Sequence, residues 1–135
     1  MASKGADYGW YRSTFQNKSK QTALATTDSG TIDSVVAVPR VTANANFIQR
    51  IVFNVTTDSA QTLTFQDGAG TPVVIGKSPA SPGLGATVVA DFGPEGTQLT
   101  AGEELDMVIS GAGLAGVISI EAYEKQVTVV AVASA

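Results

Sequence analysis

The sequence of 135 residues contains no cysteine and no histidine. Without cysteine there can be no disulfide framework, no thiolate nucleophile and no thiolate metal ligand. Without histidine the usual general base near neutral pH and the commonest metal ligand are missing as well. Neither absence forbids catalysis, since carboxylates remain, but together they weigh against an enzyme. Charge is sparse, at 15% of residues against 44% hydrophobic, and that balance argues against a wholly disordered chain. No run approaches the ~18 consecutive apolar residues of a membrane span. The opening MASKGADYGWYRSTFQNKSKQ lacks the apolar stretch of a signal peptide. The expectation is synthesis in a cytoplasm without a signal peptide, with no membrane partner, so Asn17-Lys18-Ser19 and Asn54-Val55-Thr56 read as chance sequons.

What is present is strand alternation. In FIQRIVFNVT, Phe47, Ile51, Phe53 and Val55 share one parity and Arg50, Asn54 and Thr56 the other, which makes one buried and one wetted face. QTLTF repeats this with Leu63 and Phe65 inward. ELDMVIS repeats it with Leu105, Met107 and Ile109 opposite Asp106, and VISIEAY with Ile118, Ile120 and Ala122 opposite Ser119, Glu121 and Tyr123. Residues 31–38, 71–75, 86–92 and 126–133 read as further strands. Turn signals stand between them at 57–59, 67–70, 93–96, 101–102 and 111–113. About eight short strands at this spacing predict an all-β, antiparallel β-sandwich, with a jelly roll among the candidate topologies. The Pro- and Gly-rich stretch 76–85 reads as an exposed excursion. The C-terminal VTVVAVA is apolar on both faces, so it is either central in the sandwich or covered by another chain.

Residues 1–27 hold Lys4, Arg12, Lys18 and Lys20 against Asp7, a net +3, whereas the remainder holds four cations against eleven acids, a net −7. A basic arm on an acidic body is not the profile of a nucleic-acid binder, because the body would repel phosphate. The predicted organisation is an extended N-terminal arm over residues 1–30 and a sandwich over 31–135. The arm carries four of the nine aromatic residues, Tyr8, Trp10, Tyr11 and Phe15. Disordered tails are poor in aromatics, and Trp, Tyr and Arg are the residues of interface hot spots. Tyr8, Trp10, Tyr11, Arg12, Phe15, Lys18 and Lys20 are therefore the candidate partner-binding residues, against a neighbouring subunit or another protein. Packing over one end of the chain's own sandwich, or a plain tail, are the alternatives.

Three motifs invite chemistry. Gly111-x-Gly113-x-x-Gly116 matches the dinucleotide fingerprint, but that fingerprint needs a helix after it, and VISIEAY is strand-like. The expectation is a hairpin between two antiparallel strands. Asp91-Phe92-Gly93 copies a kinase tripeptide with none of its companions, and reads as a strand end entering a turn. Glu103, Glu104 and Asp106 offer oxygens to a hard cation, but adjacent strand residues point to opposite faces, so a solvated edge is the expectation. No catalytic, cofactor-binding or metal-ligating residue is assigned, and no small-molecule substrate.

The order FIQRIVFNVT, QTLTFQDGAGTPVV and DFGPEGTQLTAGEELDMVISGAGLAGVISIEAY, over residues 47–124, resembles small β-sandwich structural proteins of tailed bacteriophages, above all head decoration (cement) proteins. These carry a DGAGT hairpin, a Gly-x-x-Leu-x-x-Gly approach, an SGAG turn and a last strand ending in an aromatic, here at 67–71, 96–102, 110–113 and 117–123. Residues before 30 and after 125 match no pattern of that family. The resemblance implies a non-enzymatic virion component, often a trimer, that binds the major capsid protein lattice on the outer capsid surface and stabilises the shell. A head-fibre, tail or baseplate subunit is the alternative within the virion. A carbohydrate- or receptor-binding module is the alternative outside it, although such sites want exposed aromatic platforms and the body has few rings beyond Tyr123.

Overall fold

In a computed structural model the chain is described over residues 16–127. Its alternating β-branched and aromatic segments form ten strands: β1 (Gln16–Asn17), β2 (Lys20–Leu24), β3 (Gly30–Val36), β4 (Asn44–Thr57), β5 (Leu63–Asp67), β6 (Val74–Lys77), β7 (Thr87–Asp91), β8 (Thr97–Gln98), β9 (Leu105–Ile109) and β10 (Ala115–Gln126). No helix occurs among the described residues.

The strands make two antiparallel sheets. One has the order β1-β10-β4-β7, with β2 further along β10 beside β1 and β8 further along β4 beside β7; the other has the order β3-β9-β5-β6. With β1/β2 and β7/β8 each taken as one interrupted strand, both sheets are four strands wide. From β2 to β10 the chain changes sheet at every step except β5 to β6 and β7 to β8. That is the strand order of a jelly roll, so the sandwich expected from the alternation is present in its jelly-roll form. Ile51, Phe53, Ile118 and Ile120 from the first sheet meet Leu63, Leu105 and Met107 from the second in one buried core.

Four features depart from the sequence reading. First, the sandwich begins before residue 31: β2 pairs with β10 from Leu24↔Gly116 to Lys20↔Ile120, and β1 pairs Gln16↔Glu124. An edge strand needs only its backbone to pair, and KQTAL buries little beyond Leu24, so its alternation is faint. Second, Phe47 does not share the inward face of Ile51 and Phe53. β10 pairs Glu121↔Arg50 and then Ala122↔Ile48, so Gln49 is an extra residue that reverses the parity beyond it. Ile48 takes the core position, and Phe47 turns outward to stack on Tyr123 at 5.1 Å with Lys125 Nζ 4.8 Å from its ring centre.

Third, the Gly111–Gly116 segment is not a hairpin. β9 and β10 lie in different sheets, so it is a corner between sheets. The turn at 67–71 does join paired neighbours, β5 and β6. Fourth, the strand expected at 126–133 starts as the end of β10, with Val127 N–H donating to Ala43 O at 3.2 Å; the rest of that segment lies outside the described residues.

Candidate functional site

Tyr8, Trp10, Tyr11, Arg12 and Phe15 lie outside the described residues, so the site is built from where the arm joins the body. On β10 the residues that alternate into the core are Ile118, Ile120, Ala122 and then Glu124, which is fully buried. On β4 the same face continues from Ile48 through Asn46 to Asn44, both buried. One end of the sandwich is therefore floored by polar side chains. The Glu124 carboxylate accepts from Asn44 Nδ2 at 2.8 Å, from the Arg40 backbone N–H at 3.1 Å and from Lys18 Nζ at 3.4 Å. Lys18 Nζ also donates to Val38 O at 3.0 Å. Burial pushes the Glu124 carboxyl up, but these donors outweigh it and hold it below its ordinary value.

Lys18, one of the expected partner-binding cations, is thus turned into its own domain, with 11% of its side chain exposed. It pins the root of the arm to β10 and to the 38–40 segment. Lys20 Nζ reaches Ser34 O at 3.4 Å, bridging β2 to β3. Sequence reading missed Glu124, although it was legible: the parity of Ile118, Ile120 and Ala122 carried one step further lands on a carboxylate.

The acids expected on a solvated edge are elsewhere. β9 is an interior strand, and Asp106 on it is only 7% exposed. Asp33, Glu104 and Asp106 place carboxylate oxygens within 4.8 Å of one another. They surround an irregularity in β3, where Ile32 to Val36 spans only Met107 to Leu105 on β9 and Ser34 takes φ 56°. The Ser34 N–H donates to both Asp106 Oδ1 at 2.9 Å and Glu104 Oε2 at 3.0 Å. Burial, then the contact with Glu104, pushes the Asp106 carboxyl up to about 6; the same contact holds Glu104 below its ordinary value, against burial. Two carboxyls accepting from one backbone N–H make a fastening for the bulge.

That pair has a pH signature. Asp106 binds its proton more tightly folded than unfolded, so between about pH 4 and 6 stability falls as pH rises. Below pH 4 the depressed carboxyls of Glu124, Asp67 and Glu104 reverse the trend, because their contribution disappears as they protonate. Thermal melts are expected to peak between pH 4 and 5. Asp106→Asn should flatten the descending limb and raise stability at pH 7 by about 1–2 kcal/mol. An unchanged limb in that variant would assign the pH dependence to another group.

Asp67 is a third buried carboxylate, at the mouth of the 67–71 hairpin. It accepts from Thr100 Oγ1 at 2.6 Å, Val73 N–H at 2.9 Å and Thr100 N–H at 3.0 Å, which overcome burial and hold its carboxyl low. Its donors are all spent on loop closure. Asp91 likewise caps its own turn, accepting from the Gly93 N–H at 2.9 Å, so the kinase-like tripeptide is turn chemistry.

The glycine-rich corner has a definite geometry. Gly113 takes φ 119°, and Gly116 lies so close to β4 that a Cβ there would overlap the Asn54 carbonyl and the Phe53 ring. A strand follows it, not a helix N-terminus. These glycines shape backbone and offer no phosphate cradle. On the outer face of the first sheet, the Phe47 ring has Tyr123 stacked on it and Lys125 near its centre, and the Tyr123 hydroxyl donates to Glu95 O at 2.7 Å. The Phe47 ring is therefore not an open platform for a sugar. An apolar opening lies at the opposite flank: a groove of about 380 Å³, mouth included, between β6 and β7. Ile51, Phe53, Leu63 and Phe65 floor it, and residues 76–78 and 88–90 form its walls.

No family model matches the chain, and no curated protein matches it in sequence. Among solved structures, one described as "Bacillus endospore appendages form a novel family of disulfide-linked pili" is similar over 84% of this chain and 88% of that chain, at 9% identity and a TM-score of 0.37. A likeness of that size carries no argument about function.

Proposed function

We propose that this protein is a non-enzymatic virion structural protein that decorates the outer surface of a bacteriophage capsid, with its N-terminal arm binding the major capsid protein lattice. The observation that carries the reading is the fastening at Lys18. Its bonds to Glu124 and Val38 tie residues 16–18, which follow Tyr8, Trp10, Tyr11, Arg12 and Phe15 in the chain, to the sheet edge. Anchoring the root limits the freedom an arm must lose on docking. The buried carboxylates support the reading as well, since each is occupied in holding a loop, a bulge or the arm. Jelly rolls serve in both capsids and lectins, so the fold is compatible with this role by analogy only. The blocked faces of Phe47 weigh against the carbohydrate-binding alternative. Several copies, a trimer by resemblance, would bind a lattice tightly through modest individual contacts.

The test is co-sedimentation with purified phage heads. Deleting residues 1–14 spares Gln16 and Lys18, so the sandwich should melt as the full chain does while capsid affinity falls about tenfold or more, the loss expected of a hot-spot aromatic cluster. Undiminished binding would remove the arm from the proposal. Absence of binding by the full chain would remove the capsid.

A further inference from the structure

The two flanks of the sandwich are finished differently. On one, the cations of Lys18 and Lys20 reach the backbone carbonyls of Val38 and Ser34 and tie β1/β2 to the β3 side. On the other, β6 and β7 are the last strands of their sheets and the groove between them opens onto the core residues Phe53 and Phe65. Exposed sheet edges are normally blunted by charge, proline or bulges. Here charge stands only at the ends, on Lys77 and Asp91, and the middles Val74-Ile75-Gly76 and Val88-Val89-Ala90 are apolar. Val74 is 55% and Val89 46% exposed.

We propose that this groove takes the C-terminal segment of a second copy of the chain, residues 128–135 (TVVAVASA), as an added strand between β6 and β7. Such a strand lies against material from both sheets, so both of its faces must be apolar or small. TVVAVASA satisfies this on either parity, has no charged side chain to bury, and has side chains small enough for a shallow groove. The arm does not, because Asp7 and Arg12 fall on opposite parities among bulky rings. Backbone pairing along an open edge supplies affinity, as in other strand-addition contacts.

Reach selects the second copy. β10 ends at Gln126, opposite Asn44, whereas the groove begins at Ile51, seven residues along β4 and on its other side. That is about 23 Å along the strand and about 10 Å across, from strand rise and spacing. Eight extended residues span about 26–29 Å, so residues 128–135 of the same chain could touch the near end but not lie along the groove. β8 also occupies the edge of β4 between the two, at Phe47 and Ile48. A tail-to-groove contact is head-to-tail, so it builds a ring if the rotation closes. Nothing in it depends on a capsid.

Light scattering across a concentration series tests this with the full chain, a 1–127 truncation and Ala90→Trp, which fills the groove without touching the tail. The full chain should associate, and each variant should shift the midpoint about tenfold or more toward monomer. Mixed together, the two variants should form one-to-one pairs, since one retains the groove and the other the tail. The truncation alone decides the matter if Ala90→Trp fails to fold. A monomeric full chain overturns the proposal, as does association that survives the truncation. So does association lost only when residues 1–14 are removed, which would make the arm the occupant.

Discussion

Replacing Glu124 with Ala is expected to destabilise the domain by about 3–5 kcal/mol, read as a drop in urea midpoint at unchanged slope. The size follows from what this one fully buried carboxylate satisfies: the Asn44 amide and the Arg40 N–H would lose their acceptor, and the Lys18 ammonium its counter-charge, keeping only Val38 O. A buried donor left without an acceptor costs its desolvation, and a buried ammonium costs most. Lys18→Met should cost less, about 1–3 kcal/mol, because Glu124 keeps two donors. It should also move the acid limb. The Glu124 carboxyl is held low in the fold, so its contribution is present above the unfolded value and is lost as pH falls through the folded one. Without the cation that loss should begin at higher pH. A cost under about 1 kcal/mol for Glu124→Ala would mean that the donors find water, and that the arm's root is not rigid.

Gly116→Ala is expected to cost about 3 kcal/mol or more, at the upper end for overpacking, although it adds one methyl group. The added Cβ would enter the space of the Asn54 carbonyl and the Phe53 ring, neither of which can move without parting β10 from β4, the longest pairing in the domain. Gly111→Ala is the control. Its Cβ would meet the end of the Gln61 side chain, which can swing aside, so the cost should stay under about 1 kcal/mol. Equal costs at the two positions, in parallel urea titrations, would show that the motif matters through its flexibility and not through close approach.

These two residues also show how far the sequence could be read. Glu124 sits on a parity already marked as buried, so its burial was available from alternation alone; its three donors were not, since they come from residues 80 and more positions away. Gly116 was legible as structural because a strand follows it. That it packs on Asn54, in a corner between sheets and not a hairpin, could not be read, because alternation is the same whichever sheet a strand joins. Phe47 was misassigned for a related reason: one extra residue at Gln49 reverses parity, and nothing in FIQRIVF announces it.

The chain by itself determines that it is an all-β sandwich without cysteine or histidine chemistry, because alternation and composition are local and survive any choice of partner strand. The tertiary structure alone decides which strands meet. It turns Lys18 and Lys20 from free cations of an arm into ties of the body. It buries Asp106 beside Glu104 and Asp33 around one backbone N–H, and it leaves the β6–β7 flank open while closing the other. Those outcomes depend on contacts between residues far apart in the chain, which no periodicity encodes.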